Sequence, residues 1–258
     1  MKSKIEDDIK QMENGKVIPY MFADTLKDET LPVAKVAIKK TRVFAMAPID
    51  YVVTFRKYFL SFTAQLMESR IDSESCVGIR AQSLEWDKLA HYLLDYGNNM
   101  IAGDFSNFDG TLHIDILWSI LDVIESFYEV QDDYRIEDKN VRRALWEATI
   151  NSIHVCKNHV YKLNHGQPSG NPLTAVMNSM YNSIVMRYAY YDICKNGDFN
   201  KLFCLYRHDR LLMLFLQVLS QFLQHKKMFL CQDLAQVLFL CRYRLCIVTG
   251  KQIGRAHV

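Results

Sequence analysis

Two carboxylates, Asp104 and Asp109, are the residues of this chain best placed to do chemistry. They stand in Gly103-Asp104-Phe105-Ser106-Asn107-Phe108-Asp109-Gly110. An apolar run of strand type, Met100-Ile101-Ala102, precedes them, and Leu112, Ile116, Ile120, Ile124 and Phe127 follow at helical spacing. That order predicts Asp104 on the last turn of a strand, facing a cleft. It places Asp109 near a helix start, where the helix dipole favours negative charge. A carboxylate at a strand end suits a hard divalent cation such as Mg²⁺. Judged alone, the pair reads more simply as a turn residue and a helix cap, since Asp is a common cap.

Two further stretches carry functional residue types. Lys35, Lys39, Lys40 and Arg42 crowd four cations into eight residues, which repel one another unless they face an anion or solvent. The run His165-Gly166-Gln167-Pro168-Ser169-Gly170-Asn171-Pro172-Leu173-Thr174 joins two glycines, two prolines and a serine into a loop that bends sharply yet is partly stiffened. It leads into Leu173, Val176, Met177, Met180, Ile184 and Tyr188 at helical spacing. A Gly-rich loop before a helix N-terminus suits close approach to a phosphate or a nucleic-acid backbone. By itself it is also an ordinary strand-to-helix connection.

The elements that must position these residues follow from the same patterns. Val33, Val36, Ile38 and Val43 predict extended structure carrying the basic residues. Tyr51, Val52, Phe55, Tyr58, Phe59, Phe62 and Leu66 predict a packing helix over 51–67, with its aromatics in the core. A turn at Gly78 and an N-cap at Ser83 open a helix over 84–96, which Gly97 stops. Residues 130–146 read as a charged surface connection. A helix from 145 to 153 and a hairpin to 163 follow, with His154, His159 and His165 expected as surface histidines rather than metal ligands.

Composition sets outer bounds. Of 258 residues, 50% are hydrophobic, enough for a real core, and the net charge of +2 gives no global signature for nucleic acid. Any such charge is local. The start of the chain is charged rather than signal-like, and no run reaches the ~20 apolar residues that span a membrane. The 7 cysteines show no zinc-type spacing, and reduced thiols are the expectation.

The acidic stretch and the Gly166–Thr174 loop together resemble two palm motifs of the RNA-dependent RNA polymerases of picorna-like viruses, most nearly those of dicistroviruses and iflaviruses. Lys27-Asp28-Glu29, closing at Lys40-Thr41-Arg42, resembles the fingers motif, and Cys76-Val77-Gly78-Ile79 with Ser83-Leu84-Glu85-Trp86 resembles the segment before the palm. The resemblance covers roughly residues 20–202. It implies an α+β fold, a right-hand polymerase of fingers plus ferredoxin-like palm, with the thumb absent. The implied divisions are a fingers portion with the basic nucleotide-access motif (1–95), a palm strand-helix (96–130), a connection (131–165), a palm loop-helix (166–202) and an anomalous tail (203–258).

The implied reaction is attack of an RNA 3′-hydroxyl on the α-phosphate of an NTP, templated by RNA, with pyrophosphate leaving. Asp104 and Asp109 would be catalytic, with Mg²⁺ or Mn²⁺ as cofactor. Lys27, Lys40 and Arg42 would hold the triphosphate. Ser169 and Gly170 would form a moving template loop, and Thr174 and Asn178, one helical turn apart, would stand near the ribose. Asn178 with Asp109 would read the 2′-hydroxyl, the group that distinguishes RNA from DNA. Implied partners are an RNA template-primer, NTPs and other viral replication proteins. The implied location is host cytoplasm on membrane-associated replication complexes.

The family's second acidic motif, Tyr-Gly-Asp-Asp, is missing. Two-metal transfer needs carboxylates from both elements. Tyr206-Arg207-His208-Asp209 stands at roughly that place, keeping the Tyr and Asp209 as a remaining metal ligand, but with Arg where a hairpin Gly belongs and His where a carboxylate belongs. Beyond it Leu, Phe, Val, Gln and Cys dominate, and Ile253–Val258 is what a common sequencing adapter encodes. Residues 203–258 are therefore expected to be frameshifted or chimeric, and the chain a polyprotein fragment inactive or nearly so. The alternatives are a non-catalytic RNA-binding or structural fragment, in which the acidic pair only caps, and a reverse transcriptase-like palm.

Overall fold

The computed structural model describes residues 1–38, 41–73, 75–94, 105 and 108–194, the last five as helix backbone only. In chain order the elements are α1 (Lys2–Glu13), β1 (Met21–Leu26), α2 (Val33–Ala37), β2 (Val43–Met46), α3 (Ile49–Glu68) and α4 (Glu85–Leu94). A 3₁₀ turn at Phe108–Gly110, α5 (Ile114–Glu129), α6 (Ile136–Ile150), β3 (Ile153–Cys156), β4 (His159–Lys162) and α7 (Thr174–Cys194) complete them. They divide into two compact units.

The first unit comprises Met1–Ser61, Asn107–Leu121 and Tyr128–Thr174. Its sheet runs β2-β1-β3-β4, with β1 antiparallel to β2, parallel to β3, and β3 antiparallel to β4. The aromatic spacing of α3 works as the sequence predicts. Tyr51, Phe55 and Phe59 point to one side and are buried, with the Phe55 and Phe59 rings stacked 4.2 Å apart. Trp146 of α6 joins them, and its indole N–H donates to the Leu117 carbonyl at 3.0 Å, so a large apolar ring is buried without an orphan donor.

Two expectations fail in this unit. Residues 130–146 are not a loop: α6 starts at Ile136 and buries Val141, Ala144, Leu145 and Ala148. Its charges misled because they are used. Glu137 and Asp138 lie in the first turn, where the helix dipole favours them. The Arg142 guanidinium lies 4.1 Å over the Tyr128 ring, and that of Arg143 lies 4.9 Å over Trp118. The second failure is Val33–Ala37, a short helix rather than extended chain. Pro32 sets its start, and with no strand neighbour the alternating valines stay exposed.

The second unit comprises Phe62–Ser106, Asp122–Phe127 and Ala175–Val258. Phe62 meets Phe127 edge-on, with centroids 5.5 Å apart. Gly78 turns the chain at φ +102°, as its sequence context predicts. Ser83 accepts from the Glu85 N–H at 3.3 Å to open α4, and the Glu85 carboxylate accepts from the Arg70 side chain and the Arg80 N–H. The strand expected at Met100–Ala102 and the Gly97 stop lie outside the described residues, as does the whole tail from residue 195.

Candidate functional site

Three of the sequence motifs meet in the first unit. The fingers-type motif is built on the sheet. Beyond Leu26↔Val43, the Lys27 N–H donates to the Arg42 carbonyl at 2.9 Å, so the chain folds back and brings the two ends of the motif side by side. Both cations turn to one carboxylate. Arg42 donates through Nε to Glu29 Oε1 at 2.7 Å and through its terminal nitrogen to Oε2, while Lys27 Nζ stands 3.6 Å from Oε2. Hydrogen bonds from Arg42, reinforced by the charges of Arg42 and Lys27, hold the Glu29 carboxyl well below its ordinary range, at about 2. Lys40 lies outside the described residues.

The Gly-rich loop seats against this sheet. The Ala45 N–H of β2 donates to Ser169 Oγ at 3.1 Å. Gly170 passes so close that a Cβ there would lie 2.1 Å from the Ala45 carbonyl oxygen. At the other end Gly166, at φ +106°, leaves only 3.2 Å between a would-be Cβ and the Asp109 carbonyl oxygen. One loop thus touches both the β2 strand that follows Arg42 and the turn that holds Asp109. Asp109 itself is exposed and does not cap the next helix. His113 does, its Nδ1 accepting from the Asp115 N–H at 3.3 Å.

The C-terminal half of the loop is fixed by residues the sequence reading passed over. Asn171 Nδ2 donates to the Tyr51 hydroxyl at 2.6 Å, and its Oδ1 accepts from the Leu173 N–H at 2.6 Å. The Tyr51 hydroxyl pairs in turn with Thr149 Oγ1 at 2.7 Å, and burial pushes the Tyr51 phenol above its ordinary range. Thr174 donates to the Asn171 carbonyl at 2.7 Å, so its hydroxyl is spent on the entrance to α7. The Asn-Pro pair before a helical run was the available signal, since Asn bonds backbone two residues on.

A second polar cluster ties β1 to the hairpin. His154 is 3% exposed, not a surface histidine. Its ring is stacked between Phe22 and Tyr161, with Nδ1 2.8 Å from Asp24 Oδ1 and Nε2 2.9 Å from Ser152 Oγ. The Tyr161 hydroxyl also donates to Asp24, which pushes that phenol up to about 12. His159 and His165 are exposed as expected.

Among the described residues no group of three His, Cys, Asp or Glu side chains could hold a metal ion. Asp104 and Asp209, the expected ligands, lie outside those residues. Asn178 lies on α7 in the second unit, and its Oδ1 is buried without a hydrogen-bond partner.

The convergence of these motifs agrees with three comparisons. The viral RNA-dependent RNA polymerase family matches residues 1–229, and the chain belongs to that family. It is 41% identical over 192 residues to the replicase polyprotein of Drosophila C virus, covering 72% of this chain and 11% of that protein. The replicase polyprotein of cricket paralysis virus is 40% identical over 192 residues, again 72% of this chain and 11% of that protein. The chain thus spans about a tenth of the length of these relatives. Among solved structures, the Sicinivirus 3Dpol RNA-dependent RNA polymerase matches with a TM-score of 0.56 at 25% identity, over 72% of this chain and 38% of that one. The fold is that of a viral polymerase with a mixed sheet, as the motifs implied.

Proposed function

We propose that the chain binds an RNA template-primer and an NTP as part of a viral replicase, and that its parent catalyses RNA-templated RNA synthesis. The observation that carries this is the loop seat. Gly166, Ser169 and Gly170 hold the turn of Asp109 and the strand after Arg42 on one loop. Lys27 and Arg42 converge on one carboxylate, so the same fork can take a triphosphate oxygen. In this reading Lys27, Lys40 and Arg42 neutralise the triphosphate and the leaving pyrophosphate. By the family pattern Asp109 and Asn178 select ribose, Thr174 is a further nucleotide contact, and Ser169 and Gly170 respond to the template.

Polymerases of this family work with divalent metal ions, and Asp104 with Asp209 would be the ligands here. Both lie outside the described residues. Other replication proteins as partners, and membrane-associated sites in host cytoplasm, belong to the same proposal.

Turnover is a separate matter. Tyr206-Arg207-His208-Asp209 supplies one carboxylate where the family pattern has two, which favours a second reading: binding with little or no synthesis. Primer extension and NTP binding on the full chain separate the two. The expected result is NTP binding with negligible extension, and a loss of about tenfold in NTP affinity when Lys27→Met and Arg42→Met are combined. A chain that binds neither RNA nor NTP overturns both readings.

A further inference from the structure

The sheet of the first unit supports its strands unevenly. β1 pairs with β3 only through Met21↔Ile153, Phe22↔His154 and Ala23↔Val155. From Asp24 onward β1 has only β2 beside it, and β2 is an edge strand. Asp24↔Ala45, Thr25↔Phe44 and Leu26↔Val43 thus form a two-stranded ribbon, which the Lys27 N–H extends to the Arg42 carbonyl. Two strands alone are marginally stable. Packing does not anchor the far end, since Leu26 is 64% and Val43 58% exposed.

Among the described residues, the side-chain hydrogen bonds that tie this ribbon to the rest of the unit meet at one rung, Asp24↔Ala45. On the β2 side the Ala45 N–H donates to Ser169 Oγ. On the β1 side the Asp24 carboxylate takes two donors from the β3-β4 hairpin, His154 Nδ1 and the Tyr161 hydroxyl. A carboxylate only accepts, so the Nδ1–H of His154 points at Asp24 and Nε2 is left for Ser152. Lys27 and Arg42 stand three residues beyond the rung, one on each strand. At roughly 3.3 Å per residue that lever is about 10 Å long, so a tilt of about 6° at the rung moves the cations by about 1 Å. A two-cation contact with a phosphate is weakened by a displacement of that size.

We propose that His154, with Tyr161 in support, is a positioning residue for triphosphate binding. The two hold Asp24, and through it the ribbon, where Lys27 and Arg42 converge on the ligand. This rests on the reading that those two cations take the triphosphate. His154 acts only through Asp24.

The test measures NTP affinity and the urea midpoint of the full chain in His154→Asn and His154→Gln. The Asn amide nitrogen stands as many bonds from Cα as Nδ1 does and can still donate to Asp24. The Gln amide nitrogen matches Nε2 and keeps Ser152 instead. Both variants lose the ring stacked between Phe22 and Tyr161, so both midpoints are expected to fall by similar amounts. NTP affinity is expected to stay within about twofold of the parent in His154→Asn and to fall about five- to tenfold in His154→Gln. A side chain that only stabilises the fold lowers both affinities alike or neither, and that result overturns the assignment.

Tyr161→Phe keeps the stacked ring and removes only the second donor to Asp24, so it serves even if His154→Gln does not fold. Affinity about two- to threefold lower supports the assignment, and parent-like affinity overturns it. Combining Lys27→Met with Arg42→Met separates the proposal from the reading beneath it. If that double variant binds NTP as the parent does, the cations are not the triphosphate site and both ideas fall. If it loses affinity while His154→Asn and His154→Gln bind alike, the site stands and the positioning role falls. A parent chain that binds no NTP overturns both.

Discussion

The chain from β1 into the loop beyond it carries two carboxylates with different partners, one paired with a buried histidine and the other with two exposed cations. The Asp24 side chain, 5% exposed, accepts from Tyr161 and pairs with His154. Glu29 pairs with Arg42 and Lys27, whose side chains are 60% and 41% exposed. The first link holds three strands in register at Phe22↔His154↔Tyr161. The second leaves two exposed cations sharing one carboxylate among the described residues. Burial makes a polar link structural because its partners have nowhere else to go. Exposure leaves a similar link exchangeable, since water and ligands compete on equal terms.

The sharpest way to break this comparison is to remove each carboxylate in turn. Asp24→Ala leaves the His154 ring and the Tyr161 hydroxyl without their acceptor. A loss of about 2–3 kcal/mol is expected by urea unfolding, with Asp24→Asn recovering part of it through the remaining carbonyl oxygen. A loss below about 1 kcal/mol, the ordinary range for exposed pairs, would place Asp24 with the exposed links and erase the contrast.

Gly170→Ala comes next and tests the seat that joins the two regions. Its Cβ would lie 2.1 Å from the Ala45 carbonyl oxygen, a backbone atom that cannot step aside. Either β2 shifts or the loop lifts, at about 1–3 kcal/mol. Amide exchange at Ala45, whose N–H donates to Ser169, reports which: faster exchange at that one site means the loop has lifted.

These residues also mark the limit of what could be read without coordinates. The helix of 51–67, the turn at Gly78 and the hairpin after 153 were legible because apolar period and turn residues are local signals. Lys27 and Arg42 were legible as a pair because the motif names both ends of a folded-back strand. The helix over 136–144 was not, because Arg142 and Arg143 are cations packed on aromatic rings and their partners lie elsewhere in the chain. His154 was misread for the same reason: the carboxylate that holds it is 130 residues away. Asn171 was named only as part of a loop, since its bond to Tyr51 spans 120 residues. Asp104 and Asp209 fall outside the described residues.

The smallest effect on stability is expected at Glu29, and it is the most informative about ligand. Glu29→Gln keeps the shape of the side chain and removes its charge. The Glu29 carboxyl is held at about 2 against an ordinary 4.5, so its pairing contributes above pH 4.5 and is lost as the pH falls through about 2. The variant should therefore be slightly less stable than the parent near neutrality, by little because the partners are exposed, and should converge with it as the pH falls to about 2. It should show a flatter acid limb between pH 4.5 and 2. Triphosphate affinity should move the other way. The carboxylate repels a polyanion and occupies both cations, so its neutralisation should tighten NTP binding about two- to fivefold at low salt and have little effect at high salt. A weakened affinity in Glu29→Gln would mean that the carboxylate holds Lys27 and Arg42 in position for the ligand, and that the exposed link is as structural as the buried one.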